Sequence, residues 1–106
     1  MVRFLFKCGV GDEMNAHIFK YEIPLTDEVF AMELPANYSL CEVGQQNGTL
    51  FMWCVVDIHA TLVKRYFKIV GTGHQIVGIE DLFFLRTIQM PNGLVWHMFE
   101  VPGGDY

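Results

Sequence analysis

Gly71-Thr72-Gly73-His74 is the segment whose residue types and spacing best suit chemistry. Two glycines let successive backbone N–H groups converge into an anion-binding nest, and Thr72 and His74 add side-chain donors. Lys64, Arg65 and Lys68 lie just upstream on an expected strand. Two-residue alternation puts Lys64 and Lys68 on one face and Arg65 on the other. Gly71, Thr72, Gly73, His74, Lys64 and Lys68 therefore form a candidate ligand site for a phosphate. The other reading is a glycine-rich turn between two strands, its histidine hydrogen-bonded locally. The segment is neither a Walker loop nor a dinucleotide fingerprint, because the downstream helix and spacing of those motifs are missing.

The remaining chemistry-bearing residues are scattered. His17, His59, His74 and His97 form none of the short metal-ligand spacings, so a metal centre is not expected. The only assembly left open is His97 or His74 with Asp57. Asp57, Glu80, Asp81 and Glu100 offer carboxylates that nothing pairs, and acids at strand ends are usually solvated. Cys54 and His97 have no nucleophile motif around them. Three cysteines (Cys8, Cys41 and Cys54) without a Cys-x-x-Cys spacing suggest reduced thiols rather than a disulfide scaffold. The expectation is a protein that is not an enzyme and carries no cofactor.

Trp96-His97-Met98-Phe99 alternates large side chains on both faces of one strand. It is either a central strand buried on both sides or a strand with one face in an interface. Trp, Tyr and Met are what interface cores enrich. Trp53, Trp96, His97 and Phe99 are therefore the interface candidates, and a homo-oligomer is expected. Nine Phe, four Tyr and two Trp are many for 106 residues and point the same way.

The length sets one domain with one core. Hydrophobic residues make up 52% and charged residues 18%, which excludes a disordered chain. Seven basic against twelve acidic side chains give a net charge of −5, which argues against binding double-stranded DNA through its phosphates. No apolar run is long enough for a transmembrane helix, and no membrane partner is expected. The opening Met1–Val10 is similar to a secretory signal, but Lys7 breaks its apolar run and Asp12-Glu13 follow, so export is not expected. Residues 1–13 read as an N-terminal extension, and translation starting at Met14 would leave them outside the fold.

The elements that must position these residues read as strands. β-branched and aromatic residues dominate short runs, giving strands near 16–23, 28–34, 37–46, 49–58, 62–70, 82–90 and 94–100. Leu25-Thr26-Asp27-Glu28 reads as the loop of a first hairpin or, with Thr26 followed by acids, as the cap of one helical turn; the only other helix candidate lies around 76–82. Asn47-Gly48 and Asn92-Gly93 sit between β-rich runs and supply the positive φ angles of tight hairpin turns. Two-residue loops at both sites set the register. Val43 then faces Met52, Cys41 faces Cys54 and Glu42 faces Trp53; in the last hairpin Ile88 faces His97, Arg86 faces Phe99 and Thr87 faces Met98. Cys41 and Cys54 would meet at a non-hydrogen-bonded site with Cα atoms about 4.5 Å apart, inward-facing and unbridged. The expected fold is all-β, with one short helix allowed, as a small antiparallel sandwich or half-open barrel. It spans 14–101 as a single domain, and 102–106 form a flexible tail.

Several of these stretches together resemble one family. They are Lys20-Tyr21-Glu22-Ile23-Pro24-Leu25-Thr26-Asp27-Glu28, Leu34-Pro35, Gln46-Asn47-Gly48, Trp53, Val56-Asp57, Gly71-Thr72-Gly73-His74 and Leu94-Val95-Trp96-His97-Met98-Phe99-Glu100. The family consists of short uncharacterised proteins of tailed bacteriophages and prophages, classed as a domain of unknown function. Val70 departs from the tyrosine usual before the glycine loop, and residues 1–13 have no counterpart. The resemblance implies a phage origin and action in the host cytoplasm, and it brings no catalytic residue. By analogy with small phage accessory proteins, the expected function is binding of a host protein, inhibition of a defence component being one such case. The alternatives are an oligomeric sponge for a small phosphorylated ligand such as a nucleotide signal, held by Gly71–His74, and a minor virion or assembly protein.

Overall fold

The computed structural model describes residues 15–103. Seven strands carry the fold: β1 (Ala16–Glu22), β2 (Phe30–Pro35), β3 (Ser39–Gln46), β4 (Thr49–Asp57), β5 (Leu62–Gly71), β6 (Phe83–Gln89) and β7 (Val95–Val101). The helix candidate is a single 3-10 turn, Ile79–Asp81, entered through the left-handed Gly78. The strands form two antiparallel sheets, β1-β4-β3 and β2-β5-β7-β6. The architecture is the all-β sandwich expected, and no helix of the described residues is long and apolar enough to cross a membrane.

The inner faces of the sheets close on one core. Leu34, Phe67, Met98, Met52, Cys54 and Val56 are its largest fully buried side chains. Each strand contributes alternate residues, as its pleat requires. Leu50, Met52, Cys54 and Val56 come from β4, and Phe67 and Ile69 from β5. Tyr38 and Trp96 pack against the same cluster.

Both Asn-Gly turns join adjacent antiparallel strands, but by different means. Asn47 (φ 53°) and Gly48 (φ 83°) both take positive φ, the signature of a two-residue type I′ turn. Gln46 then pairs with Thr49, Val43 with Met52 and Glu42 with Trp53, as expected. At the second turn only Gly93 has positive φ (88°). The loop is three residues, Pro91-Asn92-Gly93, closed by Met90 N–H donating to Leu94 O at 2.8 Å and Gly93 N–H to Met90 O at 3.0 Å. Pro91 has its φ fixed near −65° and suits the first corner of a type I turn. The β6–β7 register therefore moves by one residue from the two-residue expectation. Thr87 pairs with His97, Ile88 with Trp96 and Arg86 with Met98.

Two further expectations are corrected. Cys41 does not oppose Cys54: the ladder shifts between Leu40 and Glu42, and Leu40 takes the place across from Cys54. Cys41 is the extra residue of a β-bulge, which the turn-based count could not register. A second shift lies between Phe84 and Arg86 on β6. These two bulged strands are where the sheets meet, and the Arg86 guanidinium binds the Glu42 carboxylate across that seam at 3.2 Å. Leu25-Thr26-Asp27-Glu28 is not a hairpin loop, because β1 pairs with β4 and β2 with β5. Ile23 N–H still donates to Leu50 O, at 2.9 Å; Pro24 has no N–H to continue the ladder, and the chain crosses to the other sheet.

The inner face of the larger sheet carries one ion pair. The Arg65 guanidinium donates from Nε to Glu100 Oε2 at 2.8 Å and again from Nη2. The guanidinium lies over the Tyr38 ring, 5.1 Å from its centroid. Glu100, a strand-end acid expected in solvent, is thus paired and largely enclosed. Burial, reinforced by the Glu100 charge, pushes the Tyr38 hydroxyl up to about 12. Burial does the same to the Cys54 thiol, also to about 12, with nearby Cys41 adding to the shift.

Two outcomes follow from this core. Cys41 is half-buried and Cys54 enclosed. In a Cys8→Ser chain, one thiol should react rapidly with a disulfide reagent and the second only on unfolding; two equally fast thiols would contradict the bulge. The folded state also keeps protons on Cys54 and Tyr38 that the unfolded chain releases from ordinary values of 9.0 and 10.0. Their contribution to stability is complete below pH ~9 and is lost as pH rises toward about 12. The urea midpoint should fall over that range, and should fall less steeply in a Cys54→Ala, Tyr38→Phe double variant.

Candidate functional site

β5 ends at Gly71, and the chain reverses through Gly71-Thr72-Gly73-His74. His74 N–H donates to Gly71 O at 3.1 Å, and Gly73 has φ 89°. That bond with a left-handed third residue makes a type II turn, the conformation that favours glycine there. Thr72 N–H donates to Val95 O at 3.2 Å. Two of the segment's four N–H groups, those of Thr72 and His74, are thus bound internally, and they do not converge on a common point as an anion nest requires.

Gly71 is bare for a local reason. A Cβ built on it would lie 3.2 Å from His74 Cε1 and Nδ1 and 3.2 Å from Trp96 Cζ3. The imidazole and the indole come so close to the backbone here that any Cβ would make them give by a few tenths of an ångström. Two adjoining clefts open around this contact, of about 270 and 290 Å³, and both are lined by Gly71, His74 and Trp96. Leu25, Thr26, Asp27 and Ile69 complete the first. Thr72, Gly93, Leu94 and Val95 complete the second. Leu25 is 59% exposed and Leu94 52%, one on each rim.

The lysines of the expected phosphate site are elsewhere. Lys64 stands opposite Glu33, seven residues or roughly 23 Å of strand from Gly71. Lys68 is nearer, but its ammonium donates to Asp27 O at 3.0 Å and ties the 24–29 connection to β5. No Lys or Arg lines either cleft, and the one carboxylate among the lining residues is that of Asp27.

His97 projects from β7 on the outer face of its sheet. Its Nε2 is 2.7 Å from Thr72 Oγ1 and its Nδ1 is 3.0 Å from Thr87 Oγ1. Thr72 Oγ1 also reaches Val95 O at 3.4 Å. Both ring nitrogens have hydroxyl partners, so the imidazole braces the glycine turn against β6. Phe99 shares that face but is 5% exposed, with Phe84 set edge-on at 5.6 Å between ring centroids. It offers little surface to another molecule. Trp53 is half-buried on the outer face of the smaller sheet, 6.1 Å from the Phe51 ring and above Gly44. Asp57 is in that same sheet, where its carboxylate accepts from His59 N–H at 3.0 Å. No group of three metal-ligating side chains occurs among the described residues.

Of the sequence-derived candidates, Gly71, Thr72, His74 and Trp96 come together, whereas Lys64, Trp53 and Phe99 stand apart. The rims formed by Leu25–Asp27 and Gly93–Val95 were not singled out. Both overlap stretches that carry the family resemblance, and each places a leucine in a turn segment, beside Pro24 and Gly93.

Gly71→Ala should push the His74 and Trp96 rings apart by a few tenths of an ångström, lowering stability by roughly 1–3 kcal/mol and altering Trp emission. Gly44→Ala is the control, since its Cβ would meet Trp53 at an ordinary 3.6 Å. Equal effects of the two changes in urea melts and fluorescence would contradict the packing described.

No curated protein and no solved structure matches the chain. A family model described as a domain of unknown function (DUF7352) matches residues 14–105. The strands, the glycine turn and the clefts around Trp96 all fall inside that match. The chain therefore belongs to this family of domains of unknown function.

Proposed function

We propose that this chain is a non-enzymatic phage accessory protein that binds a host protein in the host cytoplasm, a defence component being the favoured class of target. The observation that carries a binding role is the pair of clefts flanking Trp96, with Leu25 and Leu94 exposed on opposite rims. An aromatic anchor beside small apolar sockets is the arrangement in which binding energy concentrates at protein interfaces. The phage setting rests on the sequence resemblance. The non-catalytic reading is supported by the Cys54 thiol, which burial holds protonated, and by His97, whose nitrogens are both engaged by hydroxyls.

Sequestration of a small phosphorylated ligand is the second reading. It is favoured by one fact, that Gly71 and His74 line both clefts. The absence of Lys and Arg from the lining weighs against it, since a phosphate needs charge-assisted donors.

Leu25→Asp with Leu94→Asp puts a carboxylate on each rim without touching the core. Immobilised wild-type protein should retain a host protein from lysate that the double variant loses, while a His59→Ala control keeps it. Identical retention by both, or none by either, would remove the protein-binding reading. Thermal-shift measurements with cyclic and adenylated nucleotides address the second reading. A saturable rise in melting temperature that His74→Ala abolishes would support it in place of the first.

A further inference from the structure

We propose that the free edge of β1 pairs with β1 of a second copy of this chain, joining the two smaller sheets into one six-stranded sheet. Among the described residues β1 pairs on one side only, with β4. Ile23 N–H donates to Leu50 O, and Ile58 N–H donates to Asn15 O at 3.2 Å. These bonds fix the parity of the strand: odd-numbered residues address β4, and Ala16, Ile18, Lys20 and Glu22 turn their N–H and C=O groups to the open side. With no partner among the described residues, such a row of groups is a template for another strand unless something blunts it.

The usual blunting devices are missing from β1. β2 ends on Pro35, and β3 and β6 carry bulges where they meet. β1 has neither proline nor bulge over Ala16–Glu22. Its one lysine does not guard the edge. Lys20 leans back over its own sheet, 4.3 Å from the Phe51 ring centroid and 3.0 Å from Gln46 Oε1. Both faces of the strand remain open, with Ile18 62% exposed on one and Phe19 41% on the other. His17, Phe19 and Tyr21 form a row of rings 5.8 and 6.4 Å apart beside that edge.

The strand's own geometry selects a second copy. Antiparallel pairing about a two-fold axis must join even-numbered residues to even-numbered residues, because those carry the free groups. One register uses all four on each strand: Ala16 opposite the second copy's Glu22, and Ile18 opposite the second copy's Lys20. In that register Phe19 meets Phe19 and His17 meets Tyr21, ring against ring, at the sites where Cα atoms approach to about 4.5 Å. Moving two residues one way sets Lys20 against Lys20. Moving four brings Pro24, which cannot donate, opposite Ile18. The full-length register therefore satisfies every free backbone group and places no like charges opposite each other. It is also isologous, the commonest form of closed dimer.

Sedimentation analysis of the full chain should show a monomer–dimer equilibrium in the micromolar range. Ile18→Pro removes only an outward N–H, and Phe19→Lys sets two like charges face to face. Each variant should sediment as a monomer with an unchanged far-UV circular dichroism spectrum. Register is read by oxidation in a Cys8→Ser, Cys41→Ser, Cys54→Ala background, which removes the thiol opposite residue 19: Phe19→Cys should give a covalent dimer and Ile18→Cys should not. A wild-type monomer at 100-fold higher concentration, a dimer that both disrupting variants leave intact, or crosslinking through Ile18→Cys in place of Phe19→Cys would overturn the proposal.

Discussion

The closure of two sheet faces on each other is the constraint from which the rest of this molecule follows. A chain with no α-helix among its described residues has only strands with which to enclose Phe67, Leu34, Met52 and Met98. Every strand is thereby committed to alternate, and each residue's face is fixed by its parity with the core. Where strict alternation would misplace a side chain, the ladder slips. Both slips, at Cys41 and at Leu85, lie on β3 and β6, whose edges face each other across the sandwich. The bulges bend these strands where the sheets come together and keep their edges from pairing. The Glu42–Arg86 ion pair crosses that seam, but both partners are well exposed, so it contributes little to stability.

Much of this was legible from residue types. β-branched and aromatic runs located all seven strands, and Asn47-Gly48 fixed the β3–β4 register pair by pair up to Glu42. The same reasoning failed at Asn92-Gly93, because Pro91 turns the preceding position into part of the loop. It failed again at Cys41, since a bulge leaves no mark when the surrounding residues are all compatible with either face. The 23–29 connection was misread because a turn signal says where a chain leaves a strand, and not which sheet it joins next. Pairing of β1 with β4 is a long-range contact, and no local feature of either strand names its partner.

The site was legible in part for the same reason. Glycines and a histidine marked Gly71–His74 as a loop with donors, and the loop does border both clefts. What they could not show is that the Thr72 and His74 amides are already bound. Lys64 and Lys68 shared a face with each other, as alternation requires, but a shared face along an extended strand is not proximity to its end. The rims escaped notice because an isolated leucine in a turn has no period to reveal it.

The two ends of the larger sheet's inner face differ in kind. Near one end, Arg65 of β5 and Glu100 of the adjacent β7 pair with each other, with the Tyr38 ring under the guanidinium. Polar groups there satisfy one another, and Glu100 is nearly enclosed. Six residues along β5, roughly 20 Å, the same face ends in Gly71, Trp96 and His74, which line the two open clefts. The asymmetry has a physical basis. A carboxylate at this depth must be paired or it costs several kcal/mol, so the first end is obliged to fill itself. Indole and imidazole rings over a bare glycine carry no charge to compensate, so leaving the second end open costs only the exposure of apolar surface. The proposed binding site is the end that its own chain leaves open.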